Sequence, residues 1–385
     1  MLYSGLPNAT YDAGGRLRTS QLTTLFDGKT LNEDNAQMWH IVGTGNNSFT
    51  HNTNVMSVTS GQYLIRQSNL FTQYYSGKSQ LVELTFDNFQ PQTNVTKRIG
   101  YYSSSATAPY NTTLDGFFLE SSNGVVSIGV YNAGTLIASI PQSSWNGTVA
   151  TYDWTKFTVA IFDFLWLGGT ELRLFLKLPN DEFVLAHTFY HAGSGDGTFI
   201  KSPNQPVRYE IRSTTGTGAM TSVCSQVSTE GSNFESGESR ALYSPVLVNC
   251  NTVSTIYALK GIRKRTTFRD VAVKITKIGA VNGTTADSGV LFLLKDPVLS
   301  APLTYVDAGK IQDGTAATSI TVSSTGTVIF AIPISNVAES AEITENISTW
   351  LQNKIDNTMH EYVLAFMPYT SNQSVSATLS IKLYA

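Results

Sequence analysis

The chain has 385 residues, a length that suits two or three β domains better than one small domain. Charged residues make up only 14% and the net charge is −3, so composition excludes the global basic footprint of a nucleic-acid binder. No apolar run reaches the roughly 18 residues that span a bilayer, and Met1–Gly15 lacks a basic start followed by an apolar stretch, which predicts no signal peptide.

Short β-type runs punctuated by Gly, Asn and Ser follow one another along the first half of the chain. Strands are predicted over Tyr63–Arg66, Gln80–Phe86, Arg98–Tyr102, Gly116–Glu120, Val125–Tyr131 and Thr135–Ile140. Further strands are predicted over Phe157–Phe164, Glu171–Lys177, Phe183–Phe189, Val207–Arg212 and Thr221–Val227. Ser122-Asn123-Gly124 and Asn132-Ala133-Gly134 supply residues that tolerate positive φ, and so predict hairpin turns. In Glu171–Lys177 the polar and apolar residues alternate, so Leu172, Leu174 and Leu176 share one face. Many short antiparallel strands at this spacing argue for a sandwich or jelly roll.

The stretch 230–239 is polar, acidic and rich in Gly and Ser, as a linker should be. Strands resume at Val253–Leu259 and Asp270–Lys277, the latter with Val271, Val273 and Ile275 on one face. Gly289–Leu294, Ser319–Val322, Thr327–Ile332, Glu361–Met367 and Ser374–Leu383 complete the second half. One segment breaks the β pattern. In Glu339–Ile355 the residues Ile343, Ile347, Trp350, Leu351 and Ile355 fall at helical spacing, which predicts an amphipathic helix packed on this domain. The expected organisation is an all-β chain. Residues 1–25 form an N-terminal arm and 26–232 a jelly-roll-like β sandwich. Residues 233–246 form a linker and 247–385 a smaller β sandwich carrying that helix.

Chemistry is sparse. His187 and His191 are four apart, but their surroundings read as a strand and no third ligand has motif spacing, so no metal site is predicted. Asp163 and Glu210 are acids within strands, and Glu210 is expected to pair with Arg208 or Arg212. No facing carboxylate pair, nucleophile elbow, phosphate loop or dinucleotide fingerprint is present, so neither an enzyme nor a cofactor is expected. Asp196-Gly197 and Asp313-Gly314 read as turns. Cys224 and Cys250 are expected to be buried thiols, since two cysteines make no disulfide framework and spacing leaves a bridge open.

Two surface features stand out. Lys260, Arg263, Lys264, Arg265 and Arg269 place five cations within ten residues, with Phe268 among them. They predict a subunit contact or solvated face first, and polyanion binding second. Tyr74, Tyr75, Tyr101, Tyr102 and Trp145 are candidates to stack on the pyranose faces of a glycan, against the plainer reading of core or seam residues.

Several phrases then resemble a known family. They are Gly15-Arg16-Leu17-Arg18-Thr19-Ser20 leading into Leu25-Phe26-Asp27, Ser76-Gly77-Lys78-Ser79-Gln80-Leu81 and Lys97-Arg98-Ile99-Gly100-Tyr101. Asp163-Phe164-Leu165-Trp166-Leu167-Gly168, the run from Ser202 to Ile211, and the run from Cys224 to Gly231 follow. In order and spacing they resemble a widespread group of bacteriophage virion structural proteins over about residues 12–232. The resemblance implies a structural protein of the particle exterior, a capsid-decoration, fibre or tail component assembled with itself and with other virion proteins. A trimer is the expected oligomer. It carries over no catalytic residues. A host-glycan adhesin and a jelly-roll shell protein are the alternatives.

Overall fold

The computed structural model describes residues 11–384 except 31–34, 51, 108–109, 150, 168, 181, 194–196, 232–236, 283–287, 335–337, 343–348 and 356–357. The chain divides into two compact units, Met1–Phe234 and Glu235–Ala385. All named strand pairs are antiparallel.

In the first unit the strands are β1 (Leu22–Lys29), β2 (Trp39–Gly43), β3 (Asn46–Thr50), β4 (Thr53–Val58) and β5 (Tyr63–Ser68). Then come β6 (Gln80–Asp87), β7 (Val95–Ser103), β8 (Asp115–Ser122), β9 (Val125–Asn132) and β10 (Thr135–Pro141). The last are β11 (Thr158–Leu165), β12 (Glu171–Lys177), β13 (Phe183–Tyr190), β14 (Val207–Ser213) and β15 (Gly218–Glu230). One sheet has the order β13-β12-β11-β6-β15-β4-β3, and the long β15 pairs β4 with its first half and β1 with its second. The other has the order β10-β9-β8-β7-β14-β5-β2. Their inner faces meet through rings. Phe117 of β8 packs on Phe162 and Phe164 of β11 at 5.1 and 5.0 Å between centroids. Leu172, Leu174 and Leu176 of β12 are all buried as expected, and so are Arg173 and Phe175 between them. The hairpin turns have the expected geometry, with positive φ at Asn123, Gly124, Ala133 and Gly134.

Of the expected arm, residues 1–10 lie outside the described residues and residues 11–25 are not free. Asp12 and Ala13 are buried, Tyr11 bridges Leu17, and β1 already belongs to the sheet. Arg18 explains the docking, because its guanidinium reaches the buried carboxylate of Asp163 on β11 and lies 3.3 Å from Glu230. Asp163 also accepts from Ser79 at 2.5 Å and from Arg173.

In the second unit the strands are β16 (Glu238–Tyr243), β17 (Val248–Cys250), β18 (Tyr257–Lys264), β19 (Ala272–Asn282) and β20 (Gly289–Lys295). They continue with β21 (Val298–Leu299), β22 (Thr304–Ala308), β23 (Ile311–Ser324) and β24 (Thr327–Ile334). Last come β25 (Ala338–Glu342), β26 (Tyr362–Pro368) and β27 (Gln373–Tyr384). One sheet runs β16-β27-β19-β25, with β17 also on β27; the other runs β21-β23-β18-β26-β20-β24, with β22 on β23. A single apolar core lies between them, including Ile262, Val273, Ile275, Leu293, Leu364, Leu379 and Ile381. Ile275 and Ile278 both face it, because a bulge between Ile275 and Lys277 shifts the alternation of β19.

Three expectations are corrected here. The expected linker 233–246 contains β16, whose Leu242 turns into the core while the strand pairs β27; residues 232–236 lie outside the described residues. The expected helix over Glu339–Ile355 contains no α-helical residue where it is described. Its start belongs to strand β25, Ile343 and Ile347 lie outside the described residues, and Leu351, Gln352, Asn353 and Ile355 are all buried in an extended segment. Asp313-Gly314 is not a turn but the middle of β23, paired with Ile262 and Gly261; Asp196 lies outside the described residues.

Candidate functional site

The five cations of the basic run do not form one surface. Alternation along β18 sends Lys260 and Lys264 inward with Ile262, and both lysines are buried. Lys260 Nζ is 2.6 Å from Asp313 and donates to the Tyr243 carbonyl at 2.9 Å. Lys264 Nζ donates to the Arg269 carbonyl, and burial brings its pKa down to about 7. Arg265 is 3.1 Å from Asp307 and lies over Phe268, which packs against the core. That excludes Phe268 as a free stacking ring.

Four of the five aromatic candidates are core residues. Tyr74, Tyr101, Tyr102 and Trp145 are buried, so no sugar can stack on them. Tyr101 faces the inner layer, where its hydroxyl lies 2.6 Å from Thr72 Oγ1 and donates to the Pro203 carbonyl, and burial pushes its pKa up to about 12. Tyr102 packs on Phe118, Trp145 on Trp154, and Tyr74 on Phe164. Tyr75 is half-buried beside Lys78. His187 accepts from the Asn146 amide and His191 meets the Gly197 carbonyl, so both are structural; among the described residues no cluster of His, Cys, Asp and Glu could hold a metal. Both cysteines are free thiols, and Cys224 is exposed rather than buried.

Arg263 is the member of the run that faces outward into a concavity. Together with Tyr305 and Glu361 it forms the polar side of an open cup of about 510 Å³ in the second unit. Pro297, Val298, Leu299, Pro302 and Leu303 form the apolar side. The cup exists because two glycines face each other across adjacent strands. A Cβ on Gly261 would lie 2.5 Å from Leu303 Cδ1 and from the Tyr305 hydroxyl, and one on Gly314 would lie 2.5 Å from the Tyr305 ring. Without side chains there, Tyr305 lies flat on the sheet. Its other face carries the Arg263 guanidinium, 4.1 Å from the ring centroid.

Tyr305 therefore positions its neighbours and has no face left for a ligand. Its hydroxyl donates to Glu361 Oε1 at 2.5 Å. Burial first, then the Glu361 charge, drives its pKa far above the ordinary value. Arg263 Nε donates to Gln312 at 2.7 Å, and Gln312 donates to Asp307. Among the described residues no protein group takes up the Arg263 Nη atoms or Glu361 Oε2.

Behind the cup, Asp296 ties its two walls together. Its carboxylate accepts from the Glu361 amide at 2.9 Å, and its own amide donates to the Glu361 carbonyl at 2.7 Å. His360 Nδ1 and Lys354 Nζ lie 2.6 and 3.3 Å from Asp296 Oδ2. Sequence patterning singled out Arg263 but missed Tyr305, Glu361, Gln312 and Asp296. The available signal was Gly261 and Gly314 inside strands, where glycine marks a close approach.

No protein-family model matches the chain, and no curated protein matches it in sequence. Among solved structures it is similar to a protein of unknown function from Shewanella oneidensis MR-1, with TM-score 0.39 and 11% identity over 58% of this chain and 93% of that one. It is also similar to the exoplasmic/lumenal domain of VIP36 in a Ca2+/Man3GlcNAc-bound form, with TM-score 0.38 and 8% identity over 55% and 92%. The carbohydrate recognition domain of Emp47p matches with TM-score 0.37 and 10% identity over 55% and 98%. Likeness at this level assigns no ligand to the chain.

Proposed function

We propose that this β-sandwich protein recognises a carbohydrate, and that the cup of the second unit is the site. The observation that carries the reading is that Arg263 and Glu361 line one cup beside an apolar wall. A sugar hydroxyl both donates and accepts, so it can give its proton to Glu361 Oε2 and take one from an Arg263 Nη atom. The carbon-bound face of the ring then lies on Leu303, Val298 and Pro302. One cation and one anion make the polar side close to neutral, which favours a neutral polyol over a polyanion. The volume lies within the range of about 300–1,000 Å³ that small-ligand sites occupy.

A glycan array followed by titration calorimetry tests this. Binding is expected for the full chain, and Arg263→Ala and Glu361→Gln should each weaken it about tenfold or more, the loss of one charge-assisted hydrogen bond. Arg240→Ala, on a strand away from the cup, should leave it unchanged. No binding by correctly folded protein would sink the reading.

The second reading is a bacteriophage virion component. Its support is the resemblance over about residues 12–232, together with the way those phrases meet. Arg18, Ser79, Asp163 and Glu230 converge on one ion cluster, and Arg98, Arg208 and Glu210 on another. Ion clusters that hold a scaffold suit a structural protein, and a glycan-binding exterior component satisfies both readings. Quantitative mass spectrometry of purified particles decides it: a fixed copy number per particle supports the reading, and absence from particles rejects it.

A further inference from the structure

A buried amine faces a buried side-chain amide behind the cup. Lys295, the last residue of β20, is 5% exposed, and its Nζ lies 2.5 Å from Gln352 Oε1, itself on a 1%-exposed residue. The two residues belong to different layers. Lys295 lies in the sheet of β18, β20 and β26, paired with Tyr362 and Thr327. Gln352 sits in the extended segment bound to β19 of the opposite sheet, where Trp350 bridges Lys274 and the Leu351 amide donates to the Val273 carbonyl.

As a plain hydrogen bond this pair is costly. A buried ammonium group is normally matched by a carboxylate, because an unpaired charge is costly to take out of water. Among the described residues no carboxylate lies within ion-pair distance of Lys295 Nζ; its partner is a neutral amide. Burial brings its pKa down to about 8, which puts the neutral amine within reach at physiological pH.

A base is held by the next residue along from Lys295, Asp296. His360 is buried, its Nδ1 is 2.6 Å from Asp296 Oδ2, and its Nε2 has no hydrogen-bond partner. The carboxylate fixes the tautomer with the proton on Nδ1 and leaves the Nε2 lone pair open. His360 is close enough to Lys295 for the lysine charge to add to the effect of burial in lowering its pKa.

We propose that Lys295 and Gln352 form an intramolecular isopeptide bond that covalently joins the two sheets of the second unit. Lys295 Nζ attacks Gln352 Cδ. The Nζ–Cδ bond forms and the Cδ–Nε2 bond breaks. One Nζ proton passes through His360 Nε2 to the departing nitrogen, which leaves as ammonia. Neither oxidant nor reductant is consumed, and no second substrate is needed. The two cysteines are unbridged, so this bond would be the covalent staple of a sandwich that has no disulfide. The inference does not depend on the glycan reading.

Intact mass spectrometry of the denatured full chain tests it. The mass should fall about 17 Da below that of the sequence, one ammonia. Trypsin should no longer cut after Lys295, and a branched peptide should join Lys295 to Gln352. A succinimide at an Asn-Gly step also loses ammonia, so Lys295→Arg and Gln352→Ala complete the test: both should regain the missing mass, whereas a succinimide would persist in both. If either variant fails to fold, the branched peptide in the native chain still decides. An unmodified mass, with Lys295 and Gln352 in ordinary linear peptides, overturns the proposal.

Discussion

Arg208 and Glu210 stand two residues apart on β14, both completely buried, with Arg208 Nη2 2.8 Å from Glu210 Oε2. Arg212 lies 3.1 Å from the other oxygen and Arg98 3.8 Å. Burial would raise the Glu210 pKa, but the three arginines outweigh it and hold the carboxylate below its ordinary value. Glu210→Ala would leave Arg208 without its charge partner in the interior. It should cost about 3–5 kcal/mol, read from urea denaturation. Glu238→Ala, which removes an exposed partner of Arg240, should leave the midpoint unmoved. The sign in pH follows. A depressed carboxylate contributes stability above its unfolded value of 4.5 and loses it as pH falls through the lower folded value. The wild type should therefore destabilise below about pH 4.5 more steeply than Glu210→Ala.

Asp163 should behave as the anchor of the N-terminal segment. It takes Arg18 from that segment and Arg173 from β12, while Arg173 also donates to the Tyr11 carbonyl at 2.7 Å. In Asp163→Ala, trypsin should cut after Arg16 or Arg18 about tenfold faster or more, because the segment opens without global unfolding. Far-UV circular dichroism should stay native. Equal cleavage rates in the two proteins would mean that Arg18 does not hold the segment.

Legibility in the sequence followed burial. β12 was readable because one face is core and the alternation of Leu172, Leu174 and Leu176 reports it. β3 and β16 were not, since Asn46–Thr50 has Phe49 as its one apolar residue and buries none fully, and Glu238–Tyr243 buries only Leu242. The pairing of Glu210 with its neighbours was legible because strand residues at i and i+2 share a face. The cup was not. Arg263 meets Tyr305 and Glu361 through the register of β18 with β23, β22 and β26, which no local pattern encodes. The inward turn of Lys260 and Lys264 likewise depends on sheet alternation against a core, and a count of cations cannot report it.

The thiols should separate cleanly. Cys224 is exposed, whereas Cys250 is fully buried and its pKa is pushed up to about 12 by desolvation. An aromatic disulfide reagent should therefore modify Cys224 alone in native protein, and Cys250 only in denaturant. Rapid labelling of both under native conditions would contradict this placement of Cys250.

Gly261→Ala tests the construction of the cup without touching its charges. The new Cβ would meet Leu303 and the Tyr305 hydroxyl at 2.5 Å, so the ring must lift from the sheet. Over-packing of this kind costs about 1–3 kcal/mol. The hydrogen bond from Tyr305 to Glu361 should be lost with it, and sugar affinity should fall even though Arg263 and Glu361 remain. Gly124→Ala, at a turn in the first unit with open space around it, should leave sugar affinity unchanged. A Gly261→Ala protein with native affinity would show that the ring does not position the pair.

His360 should give the second unit a stability that declines in mild acid. Burial, opposed by the hydrogen bond and charge of Asp296, lowers its pKa from 6.5 to about 4. Between those values the unfolded chain binds a proton that the folded chain does not. Stability is therefore full above about pH 6.5 and falls as pH drops toward 4, below which this contribution is constant. The loss should be on the order of 3 kcal/mol across the window. Asp296 acts in the adjoining range. Its pKa is depressed, because the hydrogen bond to His360 and the charges of His360 and Lys354 outweigh burial, so its share is lost only below about 3.8. In His360→Gln the slope between pH 6.5 and 4 should vanish and the loss at lower pH should shrink, because the His360 charge no longer holds the Asp296 carboxylate down. Thermal denaturation across that range reads both parts. A His360→Gln curve parallel to the wild type would place the titrating group elsewhere.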